Sequence, residues 1–241
     1  MAEKKWYYTG DEGEKRAEEV KEEMIKQATG ARRFWLKEGN EALVTFLDNT
    51  PFFIHEHNLR IGGKWGNYFT CLQEFDNCPI CEAGHRPYFA CIYTIIDHST
   101  YKTKAGKEVK NQKKLLVLKR TAYEIIMDRK KNDLDNDLTY VVFRTKRHKA
   151  DDPNTGGDWV VKKRLDLATV KRFIPSDIDV NERDDYLKPF NYIDIFQPKE
   201  ADALRRIVGG AAPVGSNADP ATSAGSDDIP AIGDDDLEKY L

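Results

Sequence analysis

No stretch of this 241-residue sequence approaches the ~18 consecutive apolar residues that a membrane-spanning helix needs, and no hydrophobic run follows the opening Met1-Ala2-Glu3-Lys4-Lys5. The expectation is a soluble, non-secreted chain of the cytoplasm. Cysteine is scarce as well. All four, Cys71, Cys78, Cys81 and Cys91, fall in one short segment, and without an export signal such clustering favours a metal over a disulfide framework. A positive charge surplus is also missing: the formal net charge is −3, which taken whole argues against a nucleic-acid partner. Nor does the interior of the chain hold a compact carboxylate motif that would place water on an open metal, so an enzyme is not expected. Asp97, Asp128 and the acids of 133–137 read as turn or helix-end residues.

The charge sum conceals an asymmetry. From Gly209 onward there are seven acidic residues and one basic residue, and the first thirty residues hold eight acids and six bases. Between these ends 31 basic residues stand against 26 acidic ones, so a mildly positive body lies between an acidic helix and a more acidic tail. With 40% hydrophobic and 11% aromatic residues that body can bury a core.

The pattern divides the chain into a charged helical segment at 1–30, a folded domain at 31–208 and a disordered linker with an acidic tail at 209–241. Strands are predicted at 41–47, 89–97, 113–119, 138–145 and 158–164, with a helix at 121–131 whose Tyr123, Ile126 and Met127 share one face. Short helices are expected at 165–173 and 201–208. Three strands, a helix and two strands, with an insertion at about 52–88 after the first strand, is the element order of a five-stranded OB barrel within a mainly β (α+β) class.

The sharpest local signal is the spacing His57-x13-Cys71-x6-Cys78-Pro-Ile-Cys81. A C-x-x-C pair brings two thiolates to one ion, and two further soft ligands close a tetrahedron, which is the pattern of one structural zinc per chain. The nitrogen ligand is open between His57 and His85, with His55 near and Cys91 able to serve, although the apolar run around Cys91 reads as core. A closed four-ligand site leaves no position for activating water.

Basic residues cluster at 101–120, including Lys102, Lys104, Lys107, Lys110, Lys113 and Lys114, and in the last hairpin at Arg144, Lys146, Arg147 and Lys162. Lys64, Trp65, Tyr68, Tyr101 and Trp159 accompany them. Cationic grooves with aromatic faces bind single strands through phosphate neutralisation and base stacking, with little sequence reading. A solvated lysine loop is the bland alternative, and a zinc-containing regulator of duplex DNA or RNA is the rival function, although no basic recognition helix stands out.

Residues 53–97, FIHEHNLRIGGKWGNYFTCLQEFDNCPICEAGHRPYFACIYTIID, resemble the phage single-stranded-DNA-binding proteins that carry a zinc-binding segment within an OB fold, the family of the helix-destabilising protein of T-even phages. In that family a histidine precedes the cysteines by about a dozen residues. The resemblance therefore implies His57, Cys71, Cys78 and Cys81 as the ligands. It also implies a protein of the infected host cell's cytoplasm acting in replication, recombination and repair. Its acidic tip, Asp234, Asp235, Asp236, Leu237, Tyr240 and Leu241, would recruit replication and recombination proteins, with cooperative self-association along the strand left open.

Overall fold

A computed structural model of the protein describes residues 9–15, 31–102, 106, 108–176 and 178–209. The acidic tail, Lys104, Lys107 and most of the predicted N-terminal helix lie outside these residues; 11–15 form one helical stretch. The chain divides into two units, Met1–Arg32 and Arg33–Leu241. The second unit holds all the described strands.

Nine strands are described: β1 (Glu41–Phe46), β2 (Phe52–Ile61), β3 (Lys64–Thr70), β4 (Tyr88–Asp97), β5 (Tyr101–Lys102), β6 (Glu108–Val109), β7 (Gln112–Leu118), β8 (Val141–Lys146) and β9 (Asp158–Arg164). The helices are α1 (Pro79–Glu82), α2 (Arg120–Asp133), α3 (Leu167–Lys171), α4 (Arg183–Tyr186), α5 (Tyr192–Ile195) and α6 (Ala201–Val208). Seven strands form one antiparallel sheet in the order β3-β2-β4-β1-β8-β9, with β7 on the other edge of β4. The separate β5–β6 ribbon forms the base of the lysine arm. The five predicted strands and the 121–131 helix are all present, and 158–164 forms the expected hairpin with β8.

Two features differ from the sequence reading. Residues 52–70 are a hairpin, β2–β3, continuous with the main sheet, because Phe52–Glu56 pair with Tyr88–Ile92 of β4. β1 and β2 thus lie end to end along one edge of β4, separated by Leu47-Asp48-Asn49-Thr50-Pro51, whose proline cannot donate a ladder hydrogen bond. The sheet also does not close into a barrel, since no ladder joins β7 to β9. Residues 33–36 take the position beside β7 instead. The Phe34 amide donates to the Leu115 carbonyl at 2.8 Å, and the Leu36 amide donates to Asn154 of the β8–β9 loop at 2.7 Å.

Strand alternation gives the sheet two apolar faces. On the inner face Cys91, Tyr93 and Ile95 of β4 join Phe46, Leu116, Leu118, Phe143 and Trp159, and α2 covers them with Ala122 and Ile126. Phe46 packs edge-on to Tyr93 and tilted to Phe143, each at 5.2 Å between ring centroids. Each such side chain contributes about 1.5–3 kcal/mol by leaving water. On the outer face Ile96 and Val142 are covered by Leu165, Val170, Phe173 and Leu187.

At the break between β1 and β2, Asp48 is buried on this outer side. The Thr94 amide donates to both its oxygens at 3.2 Å, and the Tyr192 hydroxyl donates to it as well. Burial pushes the carboxyl up to about 6, against the opposing pull of those donors and of the Lys113 charge. Between pH 4 and 6 the folded protein therefore keeps a proton that the unfolded chain has lost, so stability from this group declines as pH rises through that window. Asp48→Asn should be more stable than the parent at pH 8, by up to about 3 kcal/mol, with the difference vanishing near pH 4. Denaturant unfolding of both proteins across this range measures it, and taking their difference removes the titration of every other group.

Candidate metal centre and charged surface

The protruding half of the β2–β3 hairpin, His57 to Ile61, pairs only with β3, and on the inner side its His57 and Leu59 face a small third core. That core contains Cys71, Leu72, Cys78 and Ile80, and α6 closes it with the fully buried Leu204. Cys71 leaves the end of β3 with its amide donating to the His55 carbonyl at 2.8 Å, and the Gln73 amide donates to its Sγ at 3.4 Å. Cys78 is the N-cap of α1, with Pro79 starting the helix. One turn later Cys81 comes round to the same side, and Gly84, with φ of 87°, turns the chain back toward β4.

These segments bring His57, Cys71, Cys78 and Cys81 together, their ligand atoms all within 4.8 Å of one another. The Cys71 and Cys81 sulfurs are 3.6 Å apart, and His57 Nε2 lies 3.4 Å from Cys78 Sγ and 3.5 Å from Cys81 Sγ. A tetrahedron with Zn–S bonds of about 2.3 Å and a Zn–N bond of about 2.0 Å has edges of about 3.8 Å between sulfurs and about 3.5 Å between sulfur and nitrogen. The cluster is positioned to hold a metal ion and is compatible with a structural zinc.

Burial, with the nearby His85 charge, brings His57 down to about 4, so the imidazole is neutral and its nitrogen able to ligate at pH 7. Desolvation and the neighbouring sulfurs push the Cys81 thiol up to about 12, and a bound cation would reverse that balance. Burial also raises Cys78, but donors from the Leu72, Cys81 and Ile80 backbone outweigh it and leave this thiol below its ordinary value. His85 and Cys91 are not among the four, Cys91 being a core residue whose thiol burial pushes up. His55 instead bonds Glu74 through Nδ1 at 2.9 Å.

The predicted basic and aromatic residues are dispersed. Lys64, Trp65 and Tyr68 lie on β3, Lys102 is exposed at the base of the arm, Lys110 follows β6, and Lys162 is exposed on β9. Arg144 and Lys146 share one side of β8, with Arg144 3.7 Å from Asp158.

Three of the predicted residues are interior and are withdrawn from the surface set. Lys114 is 6% exposed, its ammonium donating to Asp97 at 2.8 Å and to the Tyr101 hydroxyl at 2.7 Å. Arg147 donates to the Leu36 and Ala150 carbonyls at 3.1 and 2.7 Å, which pins residues 33–36 to the last hairpin. Trp159 is 1% exposed, with its indole N–H donating to Gly156 at 3.2 Å. Tyr101 is an anchor as well, since its hydroxyl donates to Asp97 and Lys114 Nζ sits 3.9 Å from its ring centroid.

Sequence reasoning missed other surface features. Phe53 and Phe89, 40% and 47% exposed, stack at 5.3 Å with the Tyr123 ring set edge-on to Phe53. Behind Tyr68, Arg33 lays its guanidinium 3.6 Å over the ring and pairs with the buried Glu56, to which Tyr88 also donates. The pairs Phe53↔Cys91 and His55↔Phe89 place such residues, but that register is not visible without the pairing.

Comparison with protein-family models, with curated proteins and with solved structures returns no match.

Cys78→Ser and His57→Ala should each remove the bound metal and lower the melting temperature by more than about 10 °C, because a lobe with so small a core depends on the ion. His85→Ala and Cys91→Ser should keep one ion per chain. Metal analysis of the four purified proteins with thermal melts checks both halves.

Proposed function

We propose that this protein binds single-stranded DNA with little regard to sequence, as a non-enzymatic protein whose zinc is structural. What carries the reading is the pairing of its sheet. With β1, β4, β7, β8 and β9 taken as strands one to five, one pairs with two and four, two pairs with three, four pairs with five, and α2 lies between three and four. Apart from the ladder between three and five, which is absent, these pairings match the OB barrel, a partly open five-stranded fold that binds oligonucleotides on the face of strands two and three and on the loops joining one to two and four to five, and that match supports the reading. In this chain those loops would be 47–87, which holds the β2–β3 hairpin and the metal cluster, and 147–157.

Zinc suits a donor set of three thiolates and one imidazole in a closed tetrahedron; it would fix the hairpin and supply no catalytic water. The β5–β6 arm, with Lys102, Lys104 and Lys107, would follow phosphates. Bases would stack on exposed rings such as Phe53, Phe89 and the open face of Tyr68, each worth about 1–3 kcal/mol. The acidic tip, Asp234 to Leu241, would recruit replication and recombination proteins.

Titration of fluorescent single-stranded DNA, duplex DNA and RNA at two salt concentrations tests this. Single-stranded DNA should bind most tightly, and affinity should fall steeply with salt. Lys102→Glu, Lys104→Glu and Lys107→Glu together should weaken binding about tenfold or more and lower the salt slope by about 0.7 for each phosphate no longer neutralised. Preference for duplex DNA or RNA, or an unchanged slope, would replace the reading.

A further inference from the structure

The outer face of β7, β4, β2 and β3 is crossed by a segment of the same chain. Residues 183–196 run across these four strands and touch each in turn. On β7 the Lys113 amide donates to the Tyr186 hydroxyl at 2.9 Å, that hydroxyl donates to the Asn111 carbonyl at 2.7 Å, and Lys113 Nζ sits 4.5 Å from the Phe190 ring centroid. On β4 the Phe190 amide donates to Thr94 Oγ1 at 2.9 Å, and the Tyr192 and Thr94 hydroxyls lie 2.7 Å apart. On β2 the Phe52 ring is stacked by Tyr192 at 5.3 Å and by Phe196 at 6.1 Å. On β3 the Thr70 hydroxyl donates to the Phe196 carbonyl at 2.7 Å.

This segment has the chemistry of a single strand. Its aromatic rings stack on Phe52 and sit under Lys113. Its oxygens meet lysines, with Asp184 3.1 Å from Lys171 and the Asp185 carbonyl 3.5 Å from Lys113 Nζ. It is also held at points rather than along its length. Between the anchors Ile193 is 73% and Ile195 40% exposed, and its only regular structure is two single helical turns, α4 and α5. Leu187 and Phe196 are buried, so the segment is seated at its two ends and leaves Ile193 and Ile195 in water between the ring anchors.

Resting on the single-strand reading, we infer that the outer face of β7, β4, β2 and β3 is a nucleobase-stacking surface, and that residues 183–196 are a strap occupying it until a single strand displaces them. Phe52 is then a stacking platform and Lys113 a phosphate ligand, both covered in the free protein. The ligand is an oligonucleotide, because the strap lays rings on this face at Phe52 and Lys113 and sets a carbonyl oxygen, with the Asp185 charge near it, beside the Lys113 ammonium.

The full-length protein and two variants decide it, with a labelled thymidine 20-mer as the probe. Phe190→Ala with Tyr192→Ala removes ring anchors; Asp184→Asn with Asp185→Asn removes charge and leaves the packed rings intact, so it remains informative if the first variant melts early. If the strap covers the face nine-tenths of the time, releasing it raises the apparent affinity up to about tenfold. Both variants should therefore bind more tightly than the parent. In the parent, adding the 20-mer should speed hydrogen exchange at the amides of 186–196 while slowing it in β4.

Equal or weaker binding by both variants, or slower exchange in 186–196, overturns the strap while leaving single-strand binding in place. A loosened variant that dimerises instead of gaining affinity gives the face to a second copy and overturns the inference as well. If neither parent nor variants bind the 20-mer at low salt, the single-strand reading itself fails, an outcome distinct from the others.

Discussion

β4 is buried on both faces along most of its length and paired on both edges, and this double burial is the constraint from which the domain is organised. Ala90 to Asp97 are all buried, so the strand requires an apolar layer on each side. On the inner side α2 and residues of β1, β7, β8 and β9 supply it. On the outer side no long helix is described, and the chain from Leu165 to Phe196 supplies the cover in short pieces. A strand flanked by ladders on both edges also satisfies its backbone, so the side chains of Asp97 and Thr94 are left to organise neighbours. Asp97 ties the lysine arm down through Lys114, Tyr101 and the Ser99 amide; Thr94 holds the strap.

The metal centre answers a different need. The hairpin end from His57 to Ile61 extends beyond β4 and has no ladder partner but β3. A two-stranded hairpin is marginal by itself in water. The His57, Cys71, Cys78 and Cys81 cluster gathers the hairpin's inner side, the β3 exit and α1 at one point, where an ion would tie them together, and α6 completes the lobe by inserting Leu204 beside Cys78 and Ile80. Because α6 ends at Val208, where the stretch that carries the seven C-terminal acids begins, the His/Cys cluster, the hairpin and the root of that stretch share one small core. Loss of the ion would thus be felt at residue 208 as well as at residue 57.

The sequence was most readable where one period dominates. EALVTF, FACIYTIID and KKLLVL are apolar enough to read as strands from composition, and C-x-x-C spacing carries its own geometry because a single helical turn returns Cys81 to Cys78. β2 was hidden because FFIHEHNLRI puts polar residues on both faces: His55 and His57 toward the metal side, Glu56 and Asn58 on the other. Tertiary partners hold several of them where a periodicity argument does not look, such as Arg33 for Glu56 from 23 residues away. Lys114, Arg147 and Trp159 were misplaced for the related reason that charge and aromaticity signal a surface only when no buried partner exists. Asp97 and the carbonyls of Leu36 and Gly156 are such partners, and spacing alone does not reveal them.

Whether a protein of net charge −3 can engage a polyanion depends on where its acids lie. An acidic segment lowers affinity only as far as it lies near the basic face, since charges more than about 8–10 Å away are screened at ordinary salt. The strap meets this condition by position, with Asp184 and Asp185 beside Lys171, Lys188 and Lys113. Lys113 is strongly altered by its setting: burial brings its ammonium down to about 8, and the Asp185 and Asp48 charges only partly restore it. A cation in that state gains when a stronger anion arrives. A phosphate offers a full charge where the strap offers a carbonyl and a more distant carboxylate, so exchanging strap for strand strengthens the lysine's electrostatics while leaving ring stacking on Phe52 nearly unchanged. The difference between the two occupants of this face therefore lies chiefly in charge, and salt is the variable that should shift the balance between them.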